Sequence, residues 1–419
     1  MAKKITLRAI EGNSAGYYSL MAVLGALIAL GLGSAYYMEH QGHHVTGMTN
    51  QIVWGMPHIF AVFLIVAASG ALNVASISSV FNKTAYKPLA PLSGLLAASL
   101  LIGGLIILVL DLGRPDRLIV AMTYYNFKSI FAWNIFLYTG FLAIVVVYLW
   151  MMLEKRFNKF SSQVGFVAFV WRLILTTGTG SIFGFLVARE FYNAAIMAPL
   201  FILMSFSFGL AIFILVVTVA FKGTHRPLGD LLVERLRKLL GIFIASVLFF
   251  VAIFHLTNLY ITQRHGIEEF ILAGDNVYTT LFWGGFFAVG SVIPLFLTLI
   301  PNFKKSLSAV VTASILVIAG GLSLVYVIII GGQAYPLEIF PGKEVSSSFF
   351  DGVVNQYAPS FPEIALGLGG TALALFIVSF AIKVLGFLPE TLDNAAIDPH
   401  FKASKETSPE ETGAQKVGA

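Results

Sequence analysis

The sequence of 419 residues contains no cysteine. It can therefore hold no disulfide, no thiolate-bound metal and no all-cysteine iron–sulfur cluster of its own. Charge is scarce too. Asp, Glu, Lys and Arg make up 11% of the chain, against about 25% in an ordinary soluble domain. A chain so poor in charge cannot cover a water-facing surface, which argues against a soluble protein with a very large core. No nucleic-acid-binding module is present. The net charge of +5 is the basic excess that membrane proteins carry in their loops, so the expected surroundings are a lipid bilayer, not a nucleic acid.

What the chain has instead is apolar length. Hydrophobic residues are 58% and aromatics 14%, and about 20 consecutive apolar residues suffice to cross a bilayer. Runs of that kind lie near 17–37, 53–80, 89–112, 129–153, 164–189, 194–221, 240–263, 278–300, 307–331 and 362–388. The expected fold is an all-α integral membrane domain of about ten helices over 17–388. A short cytoplasmic segment precedes it at 1–16, and a cytoplasmic, disordered tail follows at 389–419. The basic start and long first apolar run read as a retained helix. With the N-terminus inside, eighteen Lys and Arg fall on the inner side and six on the outer, while Arg172 and Lys383 lie within spans. That asymmetry orients the chain, with both termini cytoplasmic.

Ionisable groups within spans are costly and mark candidate sites. His58, Asp111 and His255 all fall at the outer ends of their helices, and Arg114, Trp133 and Asn134 lie beside them on the same side. Shared depth suggests one polar pocket a short way in from the outer face. Such a pocket suits a quinol, whose hydroxyls need hydrogen-bond partners and whose protons need an acceptor that works near neutral pH. Each residue also has a plainer reading. Asp111 and Arg114 can pair and cap a helix. His58 can be an interfacial neighbour of Trp54, and His255 can serve a helix–helix hydrogen bond. Lys383 can snorkel to the interface, and Glu190 can form a solvated pair with Arg189. The loop histidines His40, His43 and His44 lack a recognised metal-ligand spacing, so no metal site is expected. The loop 332–361, carrying Glu338, Lys343, Glu344 and Asp351, is long enough to bind a partner.

The stretch LDLGRPDRLIVAMTYYNFKSIFAWN (110–134), with its LGRP core and downstream S-x-x-A-W, resembles the signature of the NrfD/polysulfide-reductase membrane-subunit family. The stretch WGMPHIFAVFLIVAASGALN (54–73) looks most like the branch found in the sulfite-reduction-associated Dsr complex (its DsrP subunit). The resemblance implies two four-helix bundles, helices 2–5 and 6–9, plus two extra helices. It implies a quinone site (menaquinone or ubiquinone) near Asp111, Leu112, Gly113, Arg114 and Pro115, with His58 as the helix 2 polar group. It also implies candidate proton-path residues, here Arg172, Thr176, Thr177, Glu190 and Lys383. The role implied is electron exchange, in sulfur-compound metabolism, between quinone and a periplasmic ferredoxin-like iron–sulfur subunit, with a multihaem cytochrome c and further membrane subunits as other partners. The place implied is the bacterial cytoplasmic (inner) membrane, and this chain would carry no haem or iron–sulfur cluster. Two other classes stay open: a secondary transporter, which ten helices would equally suit, and a b-haem carrier ligated by His58 and His255.

Overall fold

The computed structural model describes residues 6–81, 83–303, 306–337 and 352–397. Among them are ten helices long and apolar enough to cross a membrane: α1 (Ala15–Gln41), α2 (Met56–Ser79), α3 (Ala85–Leu110), α4 (Ile130–Leu153), α5 (Asn158–Phe185), α6 (Met197–Gly223), α7 (Asp230–Tyr260), α8 (Val277–Leu299), α9 (Leu307–Ala334) and α10 (Phe361–Val384). Each matches one apolar run of the sequence. Local chemistry sets several starts. Pro57 sits in the first turn of α2, where a missing N–H costs nothing. At α10 the Glu363 side chain accepts from the Ser360 N–H, with Pro362 in the first turn. The α8 segment Leu281–Val292 winds as a π-helix, as does Val327–Gly331 in α9.

Packing follows two bundles. Helices α2–α5 form one and α6–α9 the other, while α1 and α10 pack on each other and α10 lies against α2 and α3. The bundles meet where α2 and α5 lie on α6. At the α2–α6 crossing a Cβ on Gly209 would stand 2.2 Å from the backbone of Gly70 and Ala71. In lipid such close backbone approach is itself the driving force, because apolar side chains gain nothing by leaving apolar solvent.

On the Lys/Arg-rich face the two chain ends meet. Strand β1 (Leu7–Arg8) pairs antiparallel with β2 (Leu388–Pro389). Between α6 and α7, Arg226 donates to the carbonyls of Ala9, Leu388 and Pro389. The expectation of disorder from residue 389 fails here. Leu392 and Ile397 are buried, and the Asn394 side chain accepts from the Leu231 N–H. These apolar residues give the segment enough burial to offset its ordering. Residues 398–419 lie outside the described residues, as do Glu338, Lys343, Glu344 and Asp351.

Candidate functional site

The face opposite the basic loops holds the sequence signature, and its geometry explains the residue order. Helix α3 ends at Leu110 with Asp111 as its C-cap. Gly113 then turns the chain at φ 71°, a left-handed conformation that glycine adopts without strain. Pro115 starts a single 3₁₀ turn, Pro115–Arg117. Because α2 runs antiparallel to α3, its first turn meets the end of α3. His58 Nδ1 and Asp111 Oδ2 lie 3.0 Å apart, with the carboxylate side chain fully buried and the imidazole 23% exposed. The separation is that of an ion pair, but the angles are not those of a hydrogen bond. His58 Nδ1 and both Asp111 oxygens are buried without a hydrogen-bond partner.

An aromatic wall adjoins the pair. The Trp54 ring stacks on His58 at 6.2 Å between centroids, and meets Phe131 at 6.1 Å and Phe183 at 5.9 Å. Arg114 does not join Asp111. Its guanidinium makes two 3.1 Å bonds to Asp116. The hydrogen bond from Arg114 holds the Asp116 carboxyl below its usual range, and the same bond raises Arg114. Both side chains are solvent-exposed.

Of the other predicted residues, few reach this place. Trp133 is half exposed, and its indole donates 2.9 Å to the Phe127 carbonyl. It closes the α3–α4 turn instead of lining a pocket. Asn134 is buried and donates to the carbonyls of Ile130 and Gly178, tying α4 to α5. His255 belongs to the second bundle. Its Nδ1 lies 2.6 Å from Glu268 Oε2, and the rings of Phe191, Phe254 and Phe282 surround it. The proton-path set also separates. Arg172 and Thr176 meet at Ser69 of α2, and the Arg172 guanidinium lies over Phe169 and Phe206. Thr177 points outward from α5 and Glu190 lies in the turn after it. Lys383 bonds the Gly12 carbonyl at the basic face, as a snorkelling lysine would. Equal depth along the membrane does not fix which way a helix face points, and that is why these residues lie apart. A groove of about 560 Å³, almost wholly apolar, lies elsewhere too, between α1, α2, α6, α9 and α10, with Tyr17 and Thr224 among its lining.

Sequence reasoning missed the partners that fix these outer ends. Glu268 sits on a short helix, His265–Leu272, that folds back onto α7. Its burial was readable from Ile267 and Ile271, which share the buried face. Asn258 donates to Glu268, and Arg264 donates to Asn258. Arg189 donates to the carbonyls of Gln51 and Gln333, and desolvation lowers its pKa. The Tyr357 hydroxyl donates to Glu363. Burial pushes that hydroxyl's pKa up, reinforced by the neighbouring carboxylate.

Comparison with known proteins gives this geometry its context. The chain is 28% identical to the Hdr-like menaquinol oxidoreductase integral membrane subunit of Archaeoglobus fulgidus, over 92% of this chain and 97% of that one. It is 22% identical to the menaquinone reductase integral membrane subunit of Nitratidesulfovibrio vulgaris, over 88% and 91%. It is 24% identical to the C polypeptide of polysulfide reductase from Wolinella succinogenes, over 68% and 95%. Residues 44–336, which hold both bundles and the His58–Asp111 pair, match the model of the polysulphide reductase NrfD family, and the chain belongs to that family.

Proposed function

We propose that this chain is the quinone-interacting membrane subunit of a multi-subunit redox complex. It exchanges electrons between the membrane quinone pool and an iron–sulfur subunit docked on the face opposite the basic loops. The observation that carries the reading is the His58–Asp111 pair: an imidazole and a carboxylate 3.0 Å apart, their facing atoms without hydrogen-bond partners, beside the Trp54 wall. Buried polar atoms in that condition are costly unless something else bonds them. A quinol headgroup has two hydroxyls to offer and a flat ring to lay on an aromatic surface.

When bound, the quinone supplies the two-electron, two-proton chemistry. The protein's own groups hold and move protons. Ionised Asp111 accepts a hydrogen bond from a hydroxyl and can take its proton at Oδ1 or Oδ2. His58, an imidazole, is the type of side chain best suited to proton exchange near neutrality. Trp54 and Phe131 exclude water from the ring face. The chain has no cysteine, so the electrons pass to a cluster in the partner, in keeping with a periplasmic ferredoxin-like subunit. Menaquinone is the proposed quinone, since two relatives are named for it. Sulfur-compound metabolism is the proposed setting, from the Dsr-like α2 stretch and the polysulfide reductase relative.

The test is quinol-dependent reduction of the iron–sulfur partner in the assembled complex. His58→Gln and Asp111→Asn should each lose it with assembly intact. Normal electron transfer in both variants refutes the site. A transporter reading would call for polar groups and broken helices near the midplane, whereas this pair sits at one face. The b-haem reading needs His58 and His255 to share one porphyrin. Each instead has its own carboxylate in its own bundle.

A further inference from the structure

Eleven buried side-chain polar atoms among the described residues lack a hydrogen-bond partner, and five of them belong to four residues around the α3–α4 turn: Glu39, His43, His58 and Asp111. Two of those residues come from outside the bundle. Helix α1 ends at Gln41 with Gly42 as its C-cap, and the single turn His43–Val45 follows. A Cβ on Gly113 would stand 3.3 Å from His43 Nε2 and Cδ2, so that edge of the imidazole lies against the turn that begins at Asp111. The His43 backbone is pinned there, its carbonyl accepting from the N–H and hydroxyl of Thr46. Glu39, one turn back on α1, adds slightly to the rise in the Arg114 pKa that Asp116 mainly causes. The other two loop histidines face away. His40 stacks on exposed Tyr36, and His44 is exposed.

We propose that His43 and Glu39 form the proton relay between the His58–Asp111 pair and water on the face opposite the basic loops. The inference rests on the quinone-site reading and adds its outlet. During quinol oxidation two hydroxyl O–H bonds break. The two electrons go one at a time to the partner's iron–sulfur subunit, and the two protons go in turn through Asp111 and His58 to His43 Nε2. His43 passes each to Glu39 and so to solvent. Quinone reduction runs the same transfers backwards. Besides Glu39, the titratable and charged groups near the relay include His44 beside Gly42, His58 on α2, Asp111, Arg114 and Asp116 on the α3–α4 turn, and Glu363 of α10, which accepts from the Gly47 N–H. Both relay residues precede residue 44, where the match to the family begins. The outlet is therefore contributed by the added helix α1 and not by the two bundles.

The experiment uses the assembled complex carrying His43→Ala or Glu39→Gln, with Asp111→Asn as reference. In His43→Ala, quinol-dependent turnover should fall on the order of 10²-fold, as for a lost proton-transfer group. Its solvent deuterium isotope effect should rise, and added imidazole should restore turnover. The KM for quinol should stay put. Glu39→Gln should lower turnover without changing KM. Unchanged turnover and isotope effect in His43→Ala overturn the relay, as does a loss that imidazole fails to rescue and that comes with a raised KM. Should Asp111→Asn, together with His58→Gln, keep full turnover, the site reading itself has failed. Should Asp111→Asn lose turnover while His43→Ala works normally, only the relay has.

Discussion

The two bundles solve one local problem in different ways. Each has a long link at the face opposite the basic loops, between its second and third helices. Each link starts with a 3₁₀ turn, Pro115–Arg117 in one and Thr262–Arg264 in the other. Each continues as a short helix, Leu118–Thr123 or His265–Leu272. Each brings a histidine against a buried carboxylate. In the second bundle the pair is closed. Glu268 accepts from Asn258 at 2.7 Å and lies 2.6 Å from His255, with Arg264 bonded behind Asn258. In the first bundle the pair is open, since neither Asp111 oxygen has a hydrogen-bond partner and Arg114 is taken by Asp116. A satisfied buried pair stabilises position, whereas an unsatisfied one leaves polar atoms free to bond something else. On the reading proposed above, that difference separates a structural histidine from a working one.

The strongest way to break the comparison is to treat both carboxylates alike. Asp111→Asn should lower quinol-dependent turnover by about 10²–10⁴-fold and leave thermal stability of the purified complex nearly unchanged. Glu268→Ala should do the reverse. It strands a buried imidazole and the Asn258 amide, at about 3–5 kcal/mol, read as a lowered unfolding temperature with normal turnover per surviving complex. Loss of turnover from the second variant at full stability would mean that both pairs work, and the contrast between closed and open pairs would be wrong.

The next largest effect concerns the seam that holds the halves in register. A methyl at position 209 would meet the backbone of Gly70 and Ala71 at 2.2 Å, which no side-chain rotation relieves. Gly209→Ala should destabilise the chain by about 1–3 kcal/mol, as overpacking does. Because the seam bears on both bundles, denaturation followed by Trp283 in the second half and by the tryptophans of the first should shift together. A shift in one half alone would show that the bundles unfold independently.

All ten helices were legible in the sequence because a span is written in one dimension, as some twenty apolar residues with charge at its ends. The His58–Asp111 pair was legible for a related reason. A helix that starts at one face and a following helix that ends there must bring those ends to the same level. What the sequence withheld was azimuth. His255 lies at similar depth, but its helix belongs to the other bundle. Asn134 faces Gly178 and α5. Thr177 points away from Thr176's partner Ser69. The likeness between the two links was hidden as well, because a turn, a short helix and a buried acid tolerate many sequences.

The smallest expected effect tests that likeness directly. Trp133 donates to the Phe127 carbonyl at 2.9 Å, and Trp283 donates to the Leu272 carbonyl at 2.8 Å. Both indoles sit near the start of the third helix of their bundle and reach back to the link before it. If the links are counterparts, Trp133→Phe and Trp283→Phe should cost about the same, about 0.5–1.5 kcal/mol for one neutral hydrogen bond. Amide exchange should quicken over 112–129 in the first variant and over 261–276 in the second, with quinol-dependent turnover preserved in both. A turnover defect confined to Trp133→Phe would instead return that residue to the quinone site, since loosening a link of equal strength in the other bundle would have done no comparable harm.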